Sequence, residues 1–211
     1  MSIDRLSRMP ERGSADRDAM NALLDSQPWG TLSTVSLHGE PWVVPIFYAR
    51  DGDRLLFHGS TGAGALRAVA AGAPVAFCVA AMDALVVGAT TFDSSANYRS
   101  AVIRGTASAL TGNEKADALD VLSDRLIPGR VAEVRPSSRK ELAATVALAL
   151  PIEEGQWLYK ARSGQASEPE GPTDAWGGIV PLHTRWGTPE AAPWSQADLP
   201  ESVRRLGGSS L

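Results

Sequence analysis

The sequence predicts a mainly β protein, an antiparallel barrel decorated by a few peripheral helices. Three observations carry this. From Thr31 to His58, three runs rich in β-branched and aromatic residues follow one another, separated only by turn signals. A second long β-branched run extends from Tyr98 to Leu110. Helical spacing is confined to short pieces outside these runs.

The elements follow in order. Asp16 to Asp25 carries Met20, Leu23 and Leu24 at helical spacing, with Ser14 as its N-cap and Pro28 and Gly30 as stops. Thr31 to Leu37, Trp42 to Tyr48 and Leu55 to His58 read as three antiparallel strands, joined by a His38-Gly39-Glu40-Pro41 turn and an Asp51-Gly52 hairpin signal. Gly59 to Gly64 is a loop of small residues opening a helix over Ala65 to Ala71, which Gly72-Ala73-Pro74 ends. Val75 to Val79 is an apolar strand, with Ala84 to Gly88 as its hairpin partner. The Tyr98 to Leu110 strand is expected to bend or bulge at Gly105. Asn113 to Ile127 is a helix with Leu119, Leu122 and Leu126 on one face, and Ser137-Ser138 introduces a short helical turn. Thr145 to Leu150, Gln156 to Arg162 and Trp176 to Leu182 complete the strands, with a polar loop from Ser163 to Thr173 between the last two.

With 211 residues, 44% hydrophobic and 21% charged, the chain fits one good-sized domain and neither a disordered nor a collagen-like class. The domain is expected over residues 1–186, with 187–211 a loosely packed tail. The net charge of -4 and the scattered basic residues argue against nucleic acid as a partner. The single cysteine, Cys78, excludes an intrachain disulfide framework and a multi-cysteine zinc site, and reads as a core thiol. Met1 to Arg17 is charged and lacks the apolar run of a secretory signal. The longest apolar stretch, Leu142 to Ile152, is interrupted by Thr145 and Pro151 and is too short to span a bilayer. The expected location is cytoplasmic, without a membrane partner.

Gly59-Ser60-Thr61-Gly62-Ala63-Gly64 sets hydroxyls and glycines between a strand and a helix, a setting that suits a phosphate and equally suits a flexible connector. It is not a nucleoside-triphosphate loop, because Ala65-Leu66 replaces the required Lys-Ser/Thr. Nor is it a dinucleotide fingerprint, because Arg67 stands where the third glycine belongs. Arg67 and Arg99 are the two candidates for the matching charge, each with a solvated surface role as its alternative. No Gly-x-Ser-x-Gly elbow is present, and His38, His58 and His183 lack a companion acid or a metal-ligand spacing. His58 ends a strand at the mouth of the glycine loop, where it is either a packed, hydrogen-bonded histidine or a cofactor contact.

Three segments in order, Pro41-Trp42-Val43-Val44-Pro45-Ile46-Phe47-Tyr48, Leu55-Leu56-Phe57-His58-Gly59-Ser60 and Asn97-Tyr98-Arg99-Ser100-Ala101-Val102, resemble the pyridoxamine 5'-phosphate oxidase-related flavoproteins, and most closely their nitroimidazole-resistance-like branch. Ala175-Trp176-Gly177-Gly178-Ile179-Val180-Pro181-Leu182 is similar to that branch's closing strand. The resemblance implies a six-stranded antiparallel Greek-key split β-barrel of the FMN-binding type, a homodimer with one FMN in each cleft between protomers. It also implies that Val44, Pro45 and Ile46 offer backbone hydrogen bonds to the flavin ring, and that His58, Ser60 and Thr61 hold the ribityl phosphate. Tyr98, Arg99 and Ser100 would approach the cofactor from a later strand, and Ser137-Ser138 from the other subunit. Trp176 would cover the flavin edge, with Trp157 a competing assignment. Where relatives carry Lys or Arg, this chain has Gly64-Ala65, so Arg67 or Arg99 must meet the phosphate charge. The Arg-x-His-Asp/Glu-Arg segment of the true oxidases is missing: Leu182-His183-Thr184-Arg185 lacks its first arginine and its acid. Vitamin B6 oxidation is therefore not expected.

The resulting expectation is an FMN-dependent oxidoreductase in which the flavin carries the chemistry and no side chain acts as acid or base. Ile46, Phe47 and Trp176 form an apolar wall suited to a small planar organic substrate, nitro- or quinone-like, with reduced nicotinamide or deazaflavin as donor. The alternative is a non-catalytic flavin- or haem-binding protein on the same fold.

Overall fold

The structure, a computed structural model, describes residues 12–36 and 38–209. The leading stretch before Arg12, Leu37 at the expected end of a strand and the last two residues of the tail lie outside the described residues. Helix α1 (Arg17–Ser26) is capped by Asp16, whose carboxylate accepts from the Ala19 amide at 2.9 Å. Ser14, the expected cap, instead accepts from the Asp16 amide at 3.0 Å and belongs to the two-residue strand β1 (Gly13–Ser14). Met20, Leu23 and Leu24 are fully buried along one side of α1, as their spacing predicts.

The strands that follow are β2 (Trp29–Val35), β3 (Pro41–Asp51) and β4 (Arg54–Ser60), then helix α2 (Gly64–Ala70), β5 (Pro74–Val87), β6 (Ser95–Thr106) and the two-residue β7 (Ser108–Ala109). Helices α3 (Gly112–Leu126), α4 (Arg130–Glu133) and α5 (Arg139–Ala144) precede β8 (Thr145–Pro151), β9 (Trp157–Arg162), β10 (Gly178–Pro181) and α6 (Glu201–Leu206). All the pairings are antiparallel, in the order β1-β9-β6-β5-β2-β3-β4-β8-β7 with β10 added to β5. The architecture is the mainly β one expected, but ten strands stand among the described residues where six were expected. The short pieces β1, β7 and β10 account for three of the four extra strands.

One strand reading is corrected. Val75 to Val79 and Ala84 to Gly88 are not hairpin partners but parts of a single 14-residue strand, β5, with a register shift between Met82 and Ala84. The interruption that looked like a turn is a bulge at Asp83, and β6 lies alongside both parts. The bend expected at Gly105 is real. Its φ is +155°, β6 ends one residue later, and β7 moves over to pair with β8.

The main core lies inside the barrel, where Tyr48, Phe57 and Phe77 pack ring against ring, with Phe77 centred 5.1 Å from Tyr48 and 5.8 Å from Phe57. A second cluster forms under α3, from Ala49, Leu56, Ala147 and Ala149 on the strands and Ala118 and Leu122 on the helix. In the tail, the Ser202 amide and hydroxyl of α6 donate to the Glu133 carboxylate of α4 at 3.0 and 2.5 Å, and the Trp186 amide donates to the Ser209 carbonyl at 3.0 Å.

Candidate cofactor site

The site begins with a change of partner along β3. From Pro41 to Phe47 the strand pairs only with β2; from Tyr48 to Asp51 it pairs with β4. Among the described residues, the edge of the first half that faces away from β2 therefore has no strand partner, and its backbone groups are open to a ligand. Side chains fix the orientation of this edge. Trp42, Val44 and Ile46 turn inward and pack against the main core, while Val43 and Phe47, 61% and 47% exposed, point outward with Pro45. Pro45 has no N–H, so it offers a carbonyl only.

Beside this edge lies a cavity of ≈ 830 Å³. Thr34, His38 and Trp42 line it from the β2–β3 side; Ala65, Arg67 and Ala68 line it from α2. The helix lies close to β4 because residue 59 is glycine: a Cβ there would stand 2.3 Å from Leu66 Cδ1. A Cβ built on Gly64 meets nothing within 4 Å, so the space above the start of the helix is open. Arg67 is exposed and takes part in no ion pair among the described residues.

The glycine corner is tied down by its own hydroxyls. Ser60 Oγ accepts from the Gly62 amide at 3.1 Å, and Thr61 donates through both its amide and its hydroxyl to the Ala144 carbonyl at 3.0 and 3.2 Å. Ser138 caps α5 by accepting from the Glu141 amide, with the Glu141 carboxylate accepting in return from the Ser138 amide. His58 lies opposite Ala147 of β8, on the opposite face of β4 from Phe57, with an exposed ring edge. Partial desolvation pushes its pKa below the usual imidazole value, which keeps the ring neutral near pH 7.

A single chain thus sets His58, Ser60 and Thr61 along the end of β4 and its following turn, with Val44, Pro45 and Ile46 along the open edge, while Arg67 lies apart from the three on the cavity side of α2. The chain does not bring Tyr98, Arg99 and Ser100 there. They lie on β6, separated from β4 by β5, β2 and β3. Arg99 grips Asp83 with two bonds, Nε at 3.1 Å and Nη2 at 2.7 Å, and this pairing raises its pKa. Asp83 was missed in the sequence because a lone acid between two apolar runs looks like a turn. Trp176 is 65% exposed, with its ring over Gly178, whereas Trp157 packs against the main core with the Arg17 guanidinium 5.9 Å from its ring centroid. His38 and Trp42 line the cavity although neither is among the expected site residues. A histidine beside a glycine in a hairpin turn carries no local sign of a cavity, and only the placement of α2 creates one.

The outward side chains of β2 and β3 form a further surface. Trp29 faces Phe47 edge-on at 6.4 Å, and Val35 and Val43 continue the apolar face along the same side of the two strands. Among the described residues no three His, Cys, Asp or Glu side chains cluster as metal ligands, and no helix is long and apolar enough to cross a membrane.

A family model described as pyridoxamine 5'-phosphate oxidase matches residues 16–157. The chain is similar to a solved FAD and haem binding protein from Mycobacterium smegmatis, with 43% identity over 93% of this chain and 98% of that one and a TM-score of 0.87. It is also similar to the flavocytochrome Anf3 from Azotobacter vinelandii, with 27% identity over 98% and 97% of the two chains and a TM-score of 0.88. A putative 5-nitroimidazole antibiotic resistance protein from Bacteroides thetaiotaomicron shares the fold at 19% identity and a TM-score of 0.58, over 70% of this chain and 85% of that one. None of the curated proteins matches the sequence.

Proposed function

The chain belongs to the pyridoxamine 5'-phosphate oxidase family and has its split-barrel fold, and from that premise we propose that it is a homodimeric flavin-dependent oxidoreductase that also holds a haem. The observation that carries the reading is the likeness, at 43% identity and nearly full length, to a protein named for both FAD and haem. The flavocytochrome of equal fold similarity supports it. The resemblance read from the sequence implies FMN; the Mycobacterium smegmatis relative, named for FAD, favours FAD as the flavin. Both carry the same ring and ribityl phosphate, so the same protein contacts serve either.

A bound flavin supplies hydride and single-electron transfer. The chain's own residues supply position. Val44 and Ile46 anchor their side chains in the core, which holds the open backbone edge of β3 still for the ring. Ser60 and Thr61 shape the corner where the phosphate is seated, and His58 enters as a neutral imidazole. Tyr98, Arg99 and Ser100 serve the cleft from the second protomer, which seats on the apolar face of Trp29, Val35, Val43 and Phe47. Trp176 and Phe47 then cover the flavin against water, leaving room for a small planar organic substrate. With a net charge of -4 the protein takes no nucleic acid, and it works in the cytoplasm.

The test is the colour of the purified protein. Two flavin bands together with a Soret band are expected, with FAD in the extract of denatured protein; FMN there would keep the flavoprotein and correct the nucleotide. A colourless protein that takes up neither group when supplied with both overturns the reading. Anaerobic NADPH or reduced deazaflavin must bleach the flavin bands; a flavin that no donor reduces leaves a binding protein and no enzyme.

A further inference from the structure

We propose that the haem occupies the cavity between the β2–β3 turn and α2, with the His38 imidazole as axial ligand to the iron and the Arg67 guanidinium paired with a propionate. This rests on the haem half of the function above. The cavity volume, ≈ 830 Å³, lies at the upper end of the ~300–1,000 Å³ of small-molecule and cofactor sites, room enough for a large ligand. Its lining has the composition a tetrapyrrole demands. Trp42, Ala65, Ala68 and Ala71 give apolar walls, and the small residues at Gly64, Ala65 and Gly72 keep the space clear of side chains.

Two groups in that wall have chemistry beyond shape, and both match a haem. One is an imidazole, the ligand that holds haem iron in many proteins. The other is a guanidinium with no ion-pair partner among the described residues, and its fork fits a carboxylate. The absence of a three-ligand cluster among the described residues means that a bare metal ion would find too few donors here. A haem brings four nitrogens of its own and needs only one from the protein.

His38 is well placed to be that donor because its turn is pinned. Ser36 Oγ accepts from the amides of His38 and Glu40 at 3.2 and 3.1 Å, and the Ser36 carbonyl accepts from the Gly39 amide at 2.9 Å. Gly39 takes a φ of +80°, a conformation that lets the chain reverse within this short turn. The other two histidines do not line the cavity. His58 stands on β4 facing away from the main core, and His183 is exposed beyond β10.

The experiment is a hemin titration of the full chain followed in the Soret region and by electron paramagnetic resonance, on the parent and on His38→Gly, His58→Ala and His183→Ala. The parent is expected to show a histidine-ligated haem. His38→Gly should lose that signature and bind hemin ~10-fold or more weakly, since even outer contacts to a bound metal are worth ~10–100-fold. Added imidazole should restore the signature, which a merely structural role for His38 would not allow. Ala68→Phe, which fills the cavity, should lower hemin uptake without altering the spectrum of what binds. A parental spectrum and affinity in His38→Gly overturns the assignment and leaves the haem reading standing; so does loss of the signature in His58→Ala or His183→Ala instead. A parent that binds no hemin overturns the haem reading itself, while its flavin content, measured on the same sample, is untouched by that result.

Discussion

Both halves of β3 carry apolar side chains, and on its outward face these meet opposite fates. Tyr48 and Ala49 are completely buried, and the Tyr48 hydroxyl donates to the Leu24 carbonyl of α1 at 2.6 Å, with burial pushing its pKa well up. A few residues earlier, Val43 and Phe47 stand half in solvent on an edge with no partner strand. Apolar character alone therefore does not mark the core of this protein. Pairing does: where β3 takes β4 as its neighbour, Tyr48 and Ala49 are enclosed by α1 on one side and α3 on the other, and where it leaves β4, its outward side chains stay exposed.

The sharpest contrast comes from truncating one residue on each side. Phe77→Ala removes the ring that Tyr48 and Phe57 both pack against. It should cost about 3–5 kcal/mol in denaturant unfolding, enough to leave little folded protein. Phe47→Asp, on the open half, should leave the unfolding free energy of the monomer nearly unchanged and abolish the dimer in sedimentation. A stable dimer in that variant would remove the outer face of β2 and β3 as the interface. Tyr48→Phe is the intermediate case. It leaves the Leu24 carbonyl without its buried donor and should cost ~1–3 kcal/mol, with no change in oligomeric state.

How much of this was legible beforehand follows the same division. The core strands, the α1 stripe of Met20, Leu23 and Leu24, and the bend at Gly105 are local patterns, and the structure has all three. Asp83 shows where local reading fails. An acid flanked by Ala81-Met82 and Ala84 has the look of a turn, but Arg99 from the neighbouring strand takes its charge, so the chain runs straight through as β5 with one bulge. The cavity was illegible for a related reason. Its walls come from a turn and a helix about thirty residues apart, and the side chain that joins them to the barrel, Leu66 over Gly59, is informative only once the fold is known.

The pair Arg99 and Asp83 offers a smaller effect with a clear discrimination. Both side chains are more than one-third exposed, so the ion pair itself is worth at most about 1 kcal/mol. Asp83→Asn and Arg99→Ala should therefore destabilise the fold alike and little. If Arg99 also serves the cofactor of the second protomer, flavin retention on dialysis should fall several-fold in Arg99→Ala and much less in Asp83→Asn. Equal retention in the two variants would confine Arg99 to its own chain.

The smallest effect belongs to His58, at the point where the two environments of the barrel meet. Desolvation lowers its folded pKa below the unfolded value of 6.5, so the unfolded chain binds the proton more readily. Its contribution to stability is complete above pH 6.5 and is lost as the pH falls through that value towards the depressed folded pKa. In flavin-free protein, acidification from pH 7.5 to 5 should lower the urea midpoint of the parent more than that of His58→Gln, which has no proton to gain. Seating the phosphate adds a counter-charge that favours the imidazolium, so flavin binding should raise the His58 pKa and shrink the difference between parent and variant. A difference that flavin leaves unchanged would place the imidazole outside the reach of the phosphate.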